Sequence, residues 1–259
     1  MSKFNPGFDI SWETGPLGFN YGEGVFGPEV EERRLDDIRK SLRDPNADGP
    51  DIVYAIAMDV GKEVHKEILA EKMLLFGVMT YAKGRLGDEL IRSQGHIHKI
   101  SSHSNWAPAE IYEVWEGEAI IYMQETAKDN PGKCYAVYAK AGDVVIVPPN
   151  WAHATISANP NVALTFGAWC DREYGFEYEE VRAHKGLAWY PLLDGDDIKW
   201  EHNEHYEDTG LIKKEPSDYS YLGLQKGVPV YEQFAKNLDL FQFVSKPHLK
   251  KDEWENFIP

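Results

Sequence analysis

The strongest constraint on this chain is a succession of short segments between Asp51 and Trp169 that read as strands with turn-forming residues between them. The clearest is EIYEVWEGEAIIYMQE (110–125), which reads as two strands joined near Glu116 and Gly117. Before it lie DIVYAIAMDV, MLLFGVMTY and DELIRS; after it come KCYAVYAKAGDVVIVPPNWAHATIS, read as two more strands broken by AGD and PPN, and then NVALTFGAW. Short strands recurring roughly every 8 to 12 residues predict an all-β sandwich or barrel. With 259 residues, 42% of them hydrophobic and 13% aromatic, the chain can bury one substantial core.

Strand alternation then sorts the polar residues by face. Glu110, Tyr112 and Val114 share one face and Ile111, Glu113 and Trp115 the other, while His153 lies with Thr155 and Ser157. His96 and His98, two residues apart, also point to one side of a strand. An inward-facing histidine pair, a carboxylate and one more imidazole suit a first-row divalent ion. Each histidine has a plainer reading, as surface decoration at a strand end or as a hydrogen-bonded core residue beside Trp151. The joint arrangement favours the metal, because turn glycines and the Pro148 corner deliver the separate ligands. His65, isolated among Lys and Glu, is expected at the surface.

Elsewhere the pattern changes. Residues 1 to 27 read as turns and short extended pieces wrapping the core. PEVEERRLDDIRKSLRD, from Pro28, places Val30, Leu35, Ile38 and Leu42 at helical spacing and predicts a surface helix, ended by DPNADGPD. GKEVHKEILAEK reads as a hairpin loop or a helical turn or more. Beyond Pro191 the chain is polar and acidic until VYEQFAKNLDLFQFV, which predicts a helix through Val230, Phe234, Leu238 and Phe241, with another turn or two in PHLKKDEWENF. The expected division is a β domain with N-terminal strands and a surface helix over 1–190 and an extension over 191–259, packed on the barrel or on a second subunit.

The net charge of −16 argues against a nucleic-acid or anionic-membrane surface. No apolar run reaches the roughly 18 to 20 residues of a membrane helix, and MSKFNPGFDISWETG lacks the apolar core of a signal peptide, so a cytoplasmic protein is expected. Cys134 and Cys170 form no CxxC pair and are expected to be reduced, buried thiols without chemistry.

GHIH (95–98), Glu110 followed by six residues and Gly117, and Gly142 with Pro148, Asn150 and His153 resemble the two cupin motifs. SQGHIH, AEIYEVWEGEAIIYMQ and AGDVVIVPPNWAH resemble, more narrowly, the cupin-type phosphoglucose isomerase (glucose-6-phosphate isomerase) family, as do SWETG, EERRLDDI, DIVYAIAM, EYGF and HKGL outside the motifs. The resemblance implies a double-stranded β-helix (jelly roll) with flanking helices, and a metal held by His96, His98, Glu110 and His153. It implies one divalent ion per subunit (iron, manganese, nickel or zinc), a homodimer, and interconversion of glucose 6-phosphate and fructose 6-phosphate in glycolysis and gluconeogenesis.

Ketol isomerisation needs a proton carrier and stabilisation of charge on two neighbouring oxygens. Glu110 is the expected carrier, although a hydride shift would need no base. Tyr112 either donates to a substrate oxygen or fills the barrel. For substrate and phosphate the resemblance points to Tyr54, Ser93, Gly95 and Tyr174. It departs at Val78 and Met79, which replace a hydroxyl-bearing pair with Thr80 as a substitute, and at Gln94, which replaces a basic residue. The spacing from His98 to Glu110 is also lengthened by SSHSNW, read as a rim loop or as a lid carrying His103 or Trp106. Other metal-dependent cupin enzymes, acting on unphosphorylated sugars or as dioxygenases or decarboxylases, use the same ligand set; a non-catalytic sugar-binding cupin is the remaining class.

Overall fold

A computed structural model describes residues 4–195 and 197–259. Two sheets face each other. One has six strands in the order Val144–Val147, Glu110–Glu116, Leu164–Asp171, Leu74–Tyr81, Ile52–Met58 and Glu31–Arg34. The other has four, in the order Ala152–Ser157, Glu118–Gln124, Cys134–Lys140 and Leu211–Lys214, the last pair parallel. Between residues 110 and 171 the chain crosses back and forth between the sheets, which gives the jelly-roll wrap. Gly117 makes the first crossing with φ +79°, and a Cβ there would lie 2.5 Å from the Ala163 carbonyl oxygen, so only glycine fits the corner.

Period-two alternation divides every central strand between two apolar layers. Tyr54, Met79, Tyr112 and Val114 meet Ala119, Ile121, Tyr135 and Val137 inside the barrel. On the outer face of the six-stranded sheet, Phe76, Ile111, Trp115 and Trp169 are covered by Phe8, Ile10 and Trp12 from the N-terminal segment and by Val230, Tyr231, Phe234 and Phe241 from the C-terminal one. Outside the four-stranded sheet, Ile120, Tyr122, Ala154 and Ile156 pack under Val181, Leu187 and Tyr206. Strands covered on both faces account for the unbroken burial of Leu74–Tyr81 and Leu164–Asp171.

Several local expectations change. Glu31–Arg34 is an edge strand paired with Ile52–Met58, and helix is confined to Leu35–Ile38 and a 3-10 turn at Arg39–Ser41. The open backbone of a neighbouring strand outweighed a weak helical preference. The stretch from Lys133 to Ser157 holds three strands, since AGD and PPN each end one. Trp189–Asp194 and Asp197–His202 form a hairpin that the polar composition of the region did not reveal. The expected C-terminal helix is two, Val230–Lys236 and Gln242–Ser245. His65 is half-buried, with Nδ1 3.2 Å from the Tyr231 hydroxyl and its ring edge-on to Phe234. Among the described residues no helix is long and apolar enough to cross a membrane.

Candidate metal centre

Four side chains converge at one mouth of the barrel. Ile97–His98 pairs with Phe176–Glu177, which holds the histidine pair extended, and an isolated bridge joins His96 to His153 through reciprocal backbone hydrogen bonds of 3.1 and 3.0 Å. Glu110 opens its strand beside Val147, and His153 lies on Ala152–Ser157 opposite Met123. The ligating atoms of His96, His98, Glu110 and His153 all fall within 4.8 Å of one another.

The hydrogen bonds fix which ring nitrogens face inward. A carbonyl can only accept, so His98 Nδ1, 3.1 Å from the Pro108 oxygen, and His153 Nδ1, 3.0 Å from the Trp151 oxygen, must both carry protons. That turns both Nε2 lone pairs toward Glu110 Oε2, at 3.1 and 3.3 Å. His96 is half-buried as a residue, yet its Nε2 is sealed from solvent and has no hydrogen-bond partner. Three imidazole lone pairs and a carboxylate therefore crowd one point with nothing positive between them. A divalent cation satisfies this donor set, and protons can do so only in part. Burial drives His96 well below the usual imidazole range, with His153 and His98 adding to it, and burial also lowers His153. Burial works against a charged His98 too, but the Glu110 carboxylate overrides it and raises that ring. Burial likewise opposes ionisation of Glu110; where His153 and His98 take a second proton, at Nε2, they donate to its carboxylate, which reverses the effect and holds the carboxyl well below the usual range.

Two neutral donors complete the surroundings of Glu110. The Tyr112 hydroxyl donates to Oε2 at 2.7 Å and the Cys170 thiol to Oε1 at 3.0 Å. Burial, reinforced by the adjacent carboxylate, pushes both far above their ordinary pKa values, so both keep their protons. Cys170 thus stays a protonated thiol whose place beside Glu110 its own strand did not reveal. Both cysteines are free and buried, but only Cys170 shares the inward face with Phe166 and Ala168 and so reaches the site.

The expected substrate residues lie less uniformly. Tyr54 faces the interior and stacks on Tyr81 at 4.8 Å, and the Tyr81 hydroxyl meets Ser93 and Thr155, which joins Tyr54 and Ser93 in one polar wall. Gly95 has φ +86°, and a Cβ would meet Leu187 at 2.9 Å, so this glycine is required by its backbone and its outward packing. Tyr174 is 40% exposed at the rim, its ring against Phe176, which in turn lies 4.4 Å from the His96 ring. Thr80 is no substitute hydroxyl in the pocket: it bonds Thr165 at 3.0 Å, while Met79 takes the interior face. The SSHSNW loop is tied to the end of Leu164–Asp171, with His103 Nε2 2.8 Å from Asp171 Oδ2 and Ser101 and Ser102 on Glu173. A cavity of about 630 Å³ lies at the other end of the sheets, between Ala119, Lys140 and Tyr219, and touches none of His96, His98, Glu110 and His153.

The crossing sheets and the three-imidazole, one-carboxylate cluster at their mouth define the cupin class. Within that class the chain belongs to the glucose-6-phosphate isomerase (GPI) family, whose model matches residues 33–208. It is 25% identical over 210 residues to the glucose-6-phosphate isomerase of Thermococcus kodakarensis, covering 78% of this chain and 96% of that one. The enzyme of that name from Pyrococcus furiosus is 23% identical over 214 residues, 80% of this chain and all of its own length. An oxalate oxidase structure in complex with the substrate analogue glycolate overlaps 41% of this chain and 46% of that one, with 17% identity and a TM-score of 0.32.

Proposed function

We propose that the chain is a metal-dependent aldose–ketose isomerase that interconverts glucose 6-phosphate and fructose 6-phosphate. It works in the cytoplasm as a homodimer with one divalent ion per subunit, drawn from iron, manganese, nickel and zinc. Residues 1–190 form its cupin unit and 191–259 an extension that covers the barrel. The observation that carries the reading is the convergence of His96, His98, Glu110 and His153 within 4.8 Å, inside the stretch matched by the family.

His96, His98, Glu110 and His153 are the ligands in this reading. A divalent ion held there supplies polarisation of two neighbouring sugar oxygens. Glu110 takes a proton from one of the two carbons and returns it to the other. Its Oε2 is engaged by Tyr112 and two imidazoles, whereas Oε1 meets only a thiol, a weak donor, so Oε1 is the atom that receives the proton. Tyr112 fixes the plane of the carboxylate. Tyr54, Ser93, Gly95 and Tyr174 line the approach for the sugar phosphate.

The test is fructose 6-phosphate turnover in deuterated water by manganese-loaded wild type and Glu110→Gln. Glu110→Gln is expected to keep its fold and lose about a hundredfold or more of the rate, with solvent deuterium entering the product of wild type. Near-normal turnover by the variant, or product free of deuterium, points to a hydride shift instead. No turnover by wild type with any of the four metals overturns the isomerase reading.

A further inference from the structure

The chain carries 43 acidic residues against 27 Lys and Arg, so a guanidinium left without a carboxylate stands out. Of its eight arginines, Arg34, Arg39, Arg43, Arg92 and Arg172 are ion-paired. Arg85 is exposed. The two that are half-buried and form no ion pair among the described residues are Arg33 and Arg182, and they come from distant parts of the chain to the same place.

Arg33 sits on the edge strand Glu31–Arg34, directly opposite Tyr54. Paired residues share a face, so its side chain lies on the interior side, where it meets the Tyr54 hydroxyl and acts on that of Tyr178; Asp37 adds a weaker influence without forming an ion pair. Arg182, on the short helix Glu179–Ala183, lies with its guanidinium carbon 4.8 Å from the Tyr178 ring centroid, and its Nε donates to Gln94 Oε1 at 3.0 Å. Both cations act on the Tyr178 hydroxyl. The pairing of Ile97–His98 with Phe176–Glu177 brings that tyrosine to the mouth, its ring centroid 6.0 Å from that of His96. Arg33, beside the Tyr54 hydroxyl, and Arg182, stacked on the Tyr178 ring, have each lost part of their hydration without gaining a carboxylate partner. An anion between them relieves both costs, and the planar fork of arginine matches the oxygens of a phosphate.

We propose that Arg33 and Arg182, on either side of Tyr178, form the seat for the phosphate of the sugar-phosphate substrate and set the preference for phosphorylated over free sugars. The proposal rests on the isomerase reading for the identity of the substrate. One tyrosine ring separates this seat from His96, so a sugar anchored there by its phosphate extends along the wall of Tyr54 and Ser93 toward Glu110. The pair also supplies local attraction in a chain whose overall charge of −16 repels an anionic substrate.

The experiment uses the full manganese-loaded chain, with fructose 6-phosphate as substrate and inorganic phosphate as competitor. Arg33→Gln and Arg182→Gln are each expected to raise KM on the order of tenfold to a hundredfold, with kcat falling far less, and to weaken inhibition by inorganic phosphate in the same proportion. Arg182→Lys recovers part of both. The rise in melting temperature that inorganic phosphate produces in wild type is lost in the Gln variants, and the exposed-site control Arg85→Gln changes none of these quantities. Unchanged KM and unchanged phosphate inhibition in the Gln variants overturn the proposal. So does a loss confined to kcat or to melting temperature, which is what an arginine serving only to guard a sheet edge would produce. If Arg33→Gln fails to fold, Arg182→Gln carries the same test. If wild type does not turn over fructose 6-phosphate, yet phosphate stabilises it and not the Gln variants, the phosphate seat stands and the isomerase reading falls.

Discussion

Glu113 is the buried carboxyl whose protonation couples pH to the attachment of the C-terminal segment. It points outward from Glu110–Glu116, where Oε2 accepts from Trp115 Nε1 at 2.9 Å and Oε1 from the Val230 backbone N–H at 2.8 Å. Burial raises its pKa from 4.5 to about 7, against the partial opposition of those two hydrogen bonds. Below pH 4.5 the group is protonated in both folded and unfolded chains and adds no slope. Between 4.5 and about 7 the folded chain keeps a proton that the unfolded chain has released, so stability falls as pH rises, and above about 7 the loss is complete. At about 1.4 kcal/mol per unit, the whole window is worth about 3 kcal/mol. Glu113→Gln removes the titration but turns an amide N–H₂ toward one of the two donors, a penalty of about 1–3 kcal/mol that does not depend on pH. Urea unfolding of both proteins at pH 5 and pH 8 isolates the group, because every other titration cancels in the difference. The variant is expected to be the less stable at pH 5, with its deficit shrinking by about 3 kcal/mol at pH 8. A difference that stays constant to within about 1 kcal/mol would refute the reasoning, since Glu113 would then be hydrated and ionised in the folded chain.

Three further outcomes follow from individual contacts. His153→Ala removes one imidazole but spares the backbone bridge to His96; metal affinity is expected to fall by at least about a hundredfold, and metal content unchanged after dialysis removes His153 from the ligand set. Tyr112→Phe deletes the 2.7 Å hydrogen bond to Glu110 and is expected to lower kcat/KM by about tenfold to a hundredfold with metal retained; an unchanged value means that the ring only fills the barrel. Phe234 is fully buried, 4.7 Å from the ring of Trp169, so Phe234→Ala should cost about 3–5 kcal/mol by denaturant unfolding. A cost below about 1 kcal/mol would place the C-terminal segment outside the cooperative unit.

What could be read in advance was whatever a strand encodes locally. The alternation in EIYEVWE placed Glu110 and Tyr112 on one face and Ile111 and Trp115 on the other, and the fold turns the first face inward and the second outward. Spacing likewise set His153 with Thr155 and brought His96 and His98 to one side. The helix expected from Pro28 formed only over its second half, Leu35–Ile38 and the 3-10 turn Arg39–Ser41, because helical spacing over four apolar residues says nothing of an unpaired neighbouring strand. The setting of Cys170 was hidden for a related reason: its own strand shows which way it points, but not that the Glu110 carboxylate lies 3.0 Å away from its sulfur.

By itself, then, the amino-acid sequence determined the β class and which residues of each central strand share a face, because side-chain direction in a strand repeats every two residues and needs no partner. Only the tertiary structure decided what gathers around His96, His98, Glu110 and His153. It brought Arg33 opposite Tyr54 and Arg182 onto Tyr178, turned Thr80 away from the pocket and seated Phe234 on Trp169. Each of these rests on which strands pair and which segment covers which face, and those pairings join residues too far apart in the chain for any local periodicity to register.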